Sequence, residues 1–269
     1  MIYYLRILSF DVALGAVAMA FWAARLSGVA LSWQVYAVLA STVAFIYTAD
    51  HLYDAYRIGH RAHTARHRFH QRHFRGLFVW ALFLFLISLL GSLYIPWPLW
   101  RAGALLAGIV AVHFVLAHYL PAFGLHKELR IAVLYAVGVS LPAWVQGGEP
   151  TVLLLYALAV GLWAYCNLRA ISYFEYESDL QDGHFSVIQF WGKAKSRLYW
   201  GLCLTASVII ALYIGFCLQV FWADVMILAA INVIYLSIYL FEDFFIAQAR
   251  YRHWADAALL LPLIGLLYQ

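Results

Sequence analysis

Charged residues are scarce in this chain of 269 residues. Asp, Glu, Lys and Arg together make up 11% of the sequence, whereas about 25% is usual in soluble domains. Hydrophobic residues reach 66%, and the mean hydropathy is +0.82. This composition excludes a soluble globular protein and indicates an integral membrane protein.

Cysteine is scarce as well. The three cysteines lie in apolar runs and show neither CxxC nor CxH spacing: Cys166, Cys203 and Cys217. They therefore indicate neither a disulfide framework nor a zinc site. The net charge of +4 is modest, and we expect no nucleic acid among the partners.

Long apolar runs fill most of the chain. A bilayer core about 30 Å thick requires about 20 apolar residues per helix. Only two longer connections separate the runs, 57–76 and 176–197. We therefore predict an all-α polytopic membrane protein with a single transmembrane domain over residues 1–269, in which these two connections form a cap. Nine runs are present, at 7–27, 31–56, 77–95, 101–120, 131–146, 151–175, 198–220, 225–246 and 254–268.

The distribution of Lys and Arg predicts the orientation, because these residues favour cytoplasmic loops. If the N-terminus is cytoplasmic, only Arg25 and Arg101 lie outside, and Arg169 lies within the sixth helix. We therefore expect a cytoplasmic N-terminus and an external C-terminus. The remaining fourteen cations lie on the cytoplasmic side: Arg6, Arg57, Arg61, Arg66, Arg68, Arg72, Arg75, Lys127, Arg130, Lys193, Lys195, Arg197, Arg250 and Arg252.

Acidic residues concentrate at the cytoplasmic ends of three predicted helices, the second, sixth and eighth. The C-terminus of a helix carries the negative end of its dipole, which disfavours a carboxylate by a few tenths to about 1 kcal/mol. We therefore expect cationic partners there, and acids in a membrane protein are a functional hypothesis by default. Eight of the thirteen acids belong to this set: Asp50, Asp54, Glu175, Glu177, Asp179, Asp182, Glu242 and Asp243.

Two of these acidic pairs have helical spacing. Asp50 and Asp54 are four residues apart, as are Glu175 and Asp179, so a continuous helix presents each pair on one face. Magnesium prefers hard oxygen ligands and is commonly held by one or two carboxylates together with substrate phosphates. Each pair could hold an ion that bridges to a diphosphate. The alternative is that these acids form ion pairs with nearby cations such as Arg57 and Lys193.

The second acidic segment resembles a known motif, the second acidic motif of the UbiA-type intramembrane prenyltransferase superfamily. That motif runs acid, three residues, Asp, three residues, Gly, then a Ser or Thr three later and a Gly nine later. The matching positions are Glu175, Asp179, Gly183, Ser186 and Gly192.

Two further segments share the resemblance. Asp50-His-Leu-Tyr-Asp54 resembles the first acidic motif of the superfamily, and Tyr119 with Lys127 resembles the Tyr and Lys of a later loop. The first motif of the family usually begins Asn-Asp and carries three acids, whereas here Ala49 precedes Asp50 and two acids are present. Before the second motif, Ser172 and Phe174 stand where Asn and Arg are common.

The resemblance implies nine helices around a lipid-open cavity that faces the cytoplasm, in a bacterial inner membrane. It also implies transfer of an isoprenoid chain from a prenyl diphosphate to a lipid-soluble acceptor, such as an aromatic quinone precursor, by Mg2+-assisted ionisation. The implied catalytic and metal-binding residues are Asp50, Asp54, Glu175 and Asp179. The candidate substrate-binding residues are Arg57, Arg61, Lys127, Asp182, Lys193, Tyr53 and Tyr173.

Two other functions stay open at this stage. A UbiA-type terpene cyclase would use the same ionisation but quench the allylic cation internally. A noncatalytic lipid-binding or assembly protein would keep the fold after its first acidic motif had diverged. Aromatic rings near the acids could stabilise a cation in either enzyme; they are Tyr47, Tyr53, Tyr173 and Phe174.

The connection 57–76 is rich in arginine and histidine. At 100° per residue Arg57, Arg61, Arg68, Arg72 and Arg75 form a stripe, and His60, His63, His67, His70 and His73 occupy a different face. The stripe is expected to contact anionic lipid headgroups, or to capture diphosphate through Arg57 and Arg61. The histidine row could instead bind a metal ion, because residues at i and i+3 or i+4 can share one.

Overall fold

The protein is helical throughout the part of the chain that this computed structural model describes, residues 8, 10–58, 65–119, 126–181, 186–218 and 220–268. No strand is present in these ranges. The α-helices are α1 (Phe10–Leu26), α2 (Trp33–Arg57), α3 (Ala65–Arg72), α4 (Phe74–Gly91), α5 (Trp97–Tyr119), α6 (Lys127–Val145), α7 (Pro150–Phe174), α8 (Tyr176–Gln181), α9 (Val187–Cys217), α10 (Trp222–Leu240), α11 (Glu242–Ile246) and α12 (Arg250–Ala258). Short 3-10 helices cover Ser92–Tyr94, Ala247–Ala249 and Leu261–Tyr268.

The predicted all-α, polytopic membrane fold is confirmed. Among the described residues, seven helices are long and apolar enough to cross a membrane: α2, α4, α5, α6, α7, α9 and α10. The count of nine transmembrane helices is not confirmed and stays a prediction. Of the other two predicted spans, 7–27 corresponds to the 17-residue helix α1, and 254–268 is not a single helix.

The last predicted span is a composite segment. Helix α12 ends at Ala258, and a 3-10 helix follows from Leu261. Pro262 lies in this second part, where its missing N–H cannot continue α-helical hydrogen bonding. The segment nevertheless runs from one end of the bundle to the other, since Arg252 pairs with Glu175 and the carbonyl of Gly265 accepts a hydrogen bond from Arg25.

The bundle has two chemically different ends. At one end, Arg25 at the close of α1 lies 3.4 Å from Asp224 at the start of α10, and the Glu149 amide donates to Ser27. We call this the opposite end. The other end, which we call the acidic end, contains the C-termini of α2 and α7 and the N-terminus of α6. The regions around the two predicted cap connections therefore share one end.

Aromatic side chains form the centre of the core. The Trp22 ring of α1 stacks on Trp163 of α7, with centroids 6.3 Å apart, and meets Tyr156 edge-on at 5.7 Å. All three side chains are fully buried. The Tyr156 hydroxyl donates a 2.6 Å hydrogen bond to the Met19 carbonyl, so the polar tip of this ring is satisfied inside the bundle.

A buried amide connects three helices. The Oδ1 atom of Asn232 in α10 accepts hydrogen bonds from Trp163 Nε1 at 3.3 Å and from Ser207 Oγ at 2.7 Å. Its Nδ2 atom donates to the Leu228 carbonyl at 2.8 Å. Because no water is available in the bilayer core, such internal partners are required, and they fix how α7, α9 and α10 pack.

The outer surface of α4 and α5 is apolar and exposed. Phe78 and Leu82 on α4, and Leu105 and Ile109 on α5, are each between 49% and 69% exposed. A continuous apolar surface of this kind is unsuited to water and suits contact with lipid chains. These helices therefore form a lipid-facing side of the bundle.

Gly192 breaks α9 shortly after its start. Its φ of +77° and ψ of 161° lie in a region that is essentially restricted to glycine. Nothing lies within 4 Å of the place where a Cβ atom would be, so the backbone conformation alone requires glycine. This residue is the last glycine of the motif that the sequence analysis recognised, and it turns the chain from the acidic end into the long helix.

Accessibility to an impermeant thiol reagent tests the orientation. In a background with the native cysteines replaced by alanine, we expect Arg72→Cys and Lys195→Cys to react only in inside-out vesicles, because the positive-inside rule puts the acidic end in the cytoplasm. Ser32→Cys, which is exposed at the opposite end, is expected to react only in right-side-out vesicles. Labelling of Arg72→Cys and Lys195→Cys from different sides would contradict the fold, and the reverse pattern would contradict the orientation.

Substitution of Gly192 tests the backbone requirement. We expect Gly192→Ala to destabilise the folded protein by about 1–3 kcal/mol, the usual cost of holding a non-glycine residue in this region. Gly76→Ala is the matched control, since Gly76 is exposed in α4 with ordinary helical dihedrals, and it should be neutral or slightly stabilising. Unfolding in detergent micelles measures both, and equal stability of the two variants would disprove the requirement.

Candidate functional site

The two predicted acidic motifs lie at the C-terminal ends of α2 and α7. Asp50 and Asp54 belong to the last two turns of α2, and α7 ends just before Glu175. A short helix, α8, continues the chain, and the Asp179 amide donates to the Glu175 carbonyl at 2.9 Å. The predicted one-turn spacing of Glu175 and Asp179 is therefore kept across the end of α7.

One lysine brings the two motifs together. Lys127 is the first residue of α6, and its ammonium group interacts electrostatically with Asp50, Asp54 and Asp179. The carboxylate of Glu128, the next residue, also interacts electrostatically with the Lys127 ammonium group. We call Lys127 with Asp50, Asp54 and Asp179 the Lys127 cluster. Four of the predicted site residues thus share one neighbourhood, although they come from three separate stretches of sequence.

Glu175 forms an ion pair, which is the alternative that the sequence left open for the acidic pairs. Both of its carboxylate oxygens pair with the guanidinium group of Arg252 in α12, and the Tyr251 hydroxyl donates to one of them. In this structure Glu175 is the ion-pair partner of Arg252, and the two side chains satisfy each other in a largely buried position.

The Glu175–Arg252 ion pair shifts the pKa values of Arg252 and of the neighbouring Tyr251. Burial lowers the pKa of Arg252, but the Glu175 charge and hydrogen bonds raise it more, so the net pKa is above the ordinary value. Burial and the same carboxylate also raise the pKa of Tyr251, which therefore stays protonated and donates. A charged Arg252 beside Glu175 is thus maintained at all ordinary pH values.

Helix α3 adds histidines to this end of the bundle. The Nε2 atom of His67 lies 4.0 Å from Oδ2 of Asp54. His51, one residue after Asp50 in the first motif, has its ring centroid 6.4 Å from that of His67 and 5.2 Å from that of His70. The histidine face of α3 thus points into the protein, whereas Arg72 and Arg75 beyond it are exposed.

The other predicted site residues have contacts of their own where the structure describes them. Lys193 is half exposed, pairs with Glu177 at 3.7 Å and lies over the Tyr176 ring. The Tyr173 hydroxyl donates to Glu242 at 3.4 Å, and Glu242 also pairs with Arg197. The other placements are Arg57, exposed at the end of α2; Tyr119, exposed at the end of α5; Tyr53, which meets the Phe114 ring at 6.1 Å; and Arg61 and Asp182, which lie outside the described residues.

Comparison with protein-family models and with curated proteins finds no match. Solved structures do match over nearly the whole chain. A UbiA homolog from Aeropyrum pernix K1 in its apo form superimposes with a TM-score of 0.72 at 13% identity, covering 96% of this chain and 98% of that one. This chain has the UbiA-type fold.

Two further solved structures agree. A UbiA homolog from Archaeoglobus fulgidus bound to GPP and Mg2+ matches with a TM-score of 0.62 at 16% identity, covering 97% of this chain and 98% of that one. A digeranylgeranylglyceryl phosphate synthase matches with a TM-score of 0.59 at 16% identity, over 97% and 92% of the two chains. The predicted resemblance to the UbiA-type superfamily is thus confirmed for the fold.

The UbiA-type fold of this chain carries polar residues that the motifs do not predict. Ser172, where the family commonly has Asn, donates a 3.0 Å hydrogen bond to the buried Glu128 and so connects α7 to α6. Arg169, one turn earlier, is 1% exposed, and its three guanidinium nitrogens have no hydrogen-bond partner among the described residues. A buried charge within a membrane helix is a functional hypothesis by default.

The sequence does not predict which residues pair with the acids. Arg252 is 77 residues from Glu175, and no spacing rule connects them. His51 had a visible signal, since it stands inside the first acidic motif, but nothing in the sequence indicates that α3 folds back against it. Lys127 was found only through the family resemblance.

A double-mutant cycle tests the Glu175–Arg252 pair. We expect Glu175→Gln and Arg252→Gln each to destabilise the protein by about 2–4 kcal/mol, because each leaves the other charge largely buried. The double variant should lose less than the sum. Thermal or chemical unfolding in micelles measures these differences.

The surface pair Lys193–Glu177 is the matched control. Its side chains are 52% and 76% exposed, against 19% and 14% for Arg252 and Glu175. Solvent screening should therefore limit the control coupling to about 0–1 kcal/mol. A coupling between Glu175 and Arg252 no larger than that of the control pair would refute the assigned role.

Proposed function

We propose that this protein binds a prenyl diphosphate with Mg2+ at the acidic end and transfers the isoprenoid chain to a lipid-soluble acceptor. The observation that carries the proposal is the Lys127 cluster, in which Asp50, Asp54 and Asp179 all interact electrostatically with one ammonium group. A UbiA homolog of the same fold is bound to GPP and Mg2+, and another structure of it is bound to DMAPP and Mg2+. These relatives support the ligand class.

The donor set of the cluster fits magnesium. Carboxylate oxygens are hard ligands, and Mg2+ is commonly held by a few carboxylates together with the phosphates of a substrate. Asp50, Asp54 and Asp179 are the residues that would hold it. When bound, the ion would neutralise the departing diphosphate and ease cleavage of the C–O bond. Glu175 is left out of this set because Arg252 already pairs with it.

Lys127 is assigned a separate task. Its ammonium group has three donors and no acceptor, which suits phosphate oxygens as well as carboxylates. It interacts electrostatically with aspartates of both motifs, so a diphosphate held by either motif would also be attracted to it. We assign Lys127 to orient the diphosphate and to compensate its charge.

The chain also offers aromatic rings to an allylic cation. Tyr53 lies on α2 between the two cluster aspartates, and its ring packs against Phe114 of α5. Tyr173 and Phe174 instead pack with Trp200 near Glu242 and Tyr251. We therefore keep Tyr53 as the aromatic contact of the substrate, and we assign Tyr173 to the packing of α7.

The proposed acceptor rests on the family resemblance and on the chemistry of an allylic cation. An allylic cation reacts with an electron-rich carbon or a hydroxyl oxygen, and a donor dissolved in the bilayer meets acceptors dissolved there. An aromatic quinone precursor is our proposed acceptor. The site is proposed to face the cytoplasm of a bacterial inner membrane, with the N-terminus inside and the C-terminus outside, because the cations concentrate at the acidic end.

One observation favours a second candidate function, binding of a lipid diphosphate without transfer. Arg252 neutralises Glu175, so one of the four carboxylates that the motifs predict as magnesium ligands already has a cationic partner. Such a site could retain a lipid diphosphate and carry out no chemistry. Turnover assays distinguish the two functions.

Calorimetry with a non-hydrolysable geranylgeranyl diphosphate analogue tests the proposal. We expect binding to weaken strongly when Mg2+ is replaced by EDTA. Asp50→Asn, Asp179→Asn and Lys127→Met should each reduce the affinity about 10- to 150-fold, because each removes a charged contact worth about 1.5–3 kcal/mol. The controls Arg72→Gln and Asp243→Asn, both exposed, should bind as the wild type does.

Mass spectrometry of products completes the test. Prenylated acceptor supports transfer, and diphosphate release with a cyclised hydrocarbon supports a terpene cyclase. Magnesium-dependent binding with no product would support the binding-only function. If the affinity is the same with Mg2+ and with EDTA, the ion-bridged site is wrong.

A further inference from the structure

Two residue pairs with helical spacing face each other across the seam between α2 and α3. His51 and Asp54 are three residues apart on α2, and His67 and His70 are three apart on α3, so each pair shares one helix face. Gln71 fastens the two helices, since its Nε2 atom donates to the carbonyl groups of Ala55 and Ile58 at 3.3 Å. The pairs are therefore held against each other by contacts of their own helices.

Three of these side chains form a compact group, which we call the His51 cluster: His51, Asp54 and His67. One ligand atom from each lies within 4.8 Å of the others. His51 is 7% exposed and Asp54 is 9% exposed, so the cluster is largely withdrawn from solvent. His70, which is 1% exposed, adjoins it with its ring 5.2 Å from that of His51.

The donors of the cluster differ in chemistry from those around Lys127. Two imidazole nitrogens and one carboxylate oxygen suit a late first-row divalent metal, whereas magnesium prefers oxygen ligands throughout. A tetrahedral zinc site places its ligand atoms about 3.3–3.5 Å apart, because each lies about 2.0–2.1 Å from the ion. The present separations are longer, for example 4.0 Å between His67 Nε2 and Asp54 Oδ2. Small side-chain rotations would bring the ligand atoms to the separation that zinc requires.

We propose that His51, Asp54 and His67 bind a divalent transition metal of the zinc type at the seam between α2 and α3. Three protein ligands leave a fourth position, which His70 or a water molecule would fill. The ion would tie the cap helix α3 to the end of α2. Since Asp54 also belongs to the Lys127 cluster, such an ion would border the proposed diphosphate site.

Equilibrium dialysis against Zn2+ tests the proposal on the full-length protein, purified without a histidine tag and kept in excess Mg2+. Elemental analysis should find one zinc per chain. His51→Gln and His67→Gln should each weaken zinc binding at least about tenfold, because each removes a ligand of a three-residue set. Co2+ in place of Zn2+ should give the visible spectrum of a tetrahedral site in the wild type only.

The control variant comes from the same histidine-rich segment. His73 is exposed and stacks on Phe69, so His73→Gln should bind zinc like the wild type. Thermal unfolding without metal checks that the ligand variants fold. Equal zinc binding by wild type and the His51→Gln/His67→Gln double variant would overturn the proposal, as would an equal loss in His73→Gln.

The zinc measurement is independent of the proposed enzymatic function, since no prenyl diphosphate is present. Asp50 lies outside the His51 cluster, so Asp50→Asn should keep its zinc while losing Mg2+-dependent diphosphate binding. His67→Gln should lose zinc. A protein that binds zinc but no prenyl diphosphate would refute only the proposed function, and the converse result would refute only the zinc site.

Discussion

Carboxylates at the C-terminal ends of α2 and α7 repel one another and the helix dipoles, so those ends can converge only where cations stand between them. Lys127 supplies one such cation, against Asp50, Asp54 and Asp179, and Arg252 supplies another, against Glu175. The two cations come from the starts of α6 and α12. The positions of these elements are therefore linked to the acidic end, and any function of the acids depends on the same balance of charge.

Buried polar side chains at the opposite end and in the bundle interior also need partners. Neutral as well as charged groups supply them. Asp224 is 3% exposed and is satisfied by Trp22 Nε1 at 2.9 Å and by Arg25. Asn232 plays the corresponding part in the middle of the bundle. Because unsatisfied polar groups are costly in a bilayer, these contacts favour one packing of helices whose surfaces are mostly apolar. Charged side chains are therefore concentrated at the acidic end.

Asp54 connects the two sites that we propose. Its carboxylate acts on Lys127 and also approaches His67. A carboxylate has two oxygens and about four lone-pair positions, so it can serve two neighbours. The seam between α2 and α3 and the diphosphate site are therefore not chemically separate. Helix α3 approaches Asp54 through His67, whereas Arg72 and Arg75 are exposed, as lipid headgroup binding would require.

The sequence alone determined that this is an all-helical membrane protein, and its acidic motifs were enough to indicate the UbiA-type fold, because hydropathy and motif spacing are local properties of the chain. Through the family resemblance it also predicted that Asp50, Asp54, Glu175 and Asp179 form one site with Lys127. Only the tertiary structure decided that Arg252 pairs with Glu175, and that His51 meets His67 beside Asp54. Both contacts join segments whose separation along the chain carries no periodic signal, and they depend on how α12 and α3 fold back on the bundle.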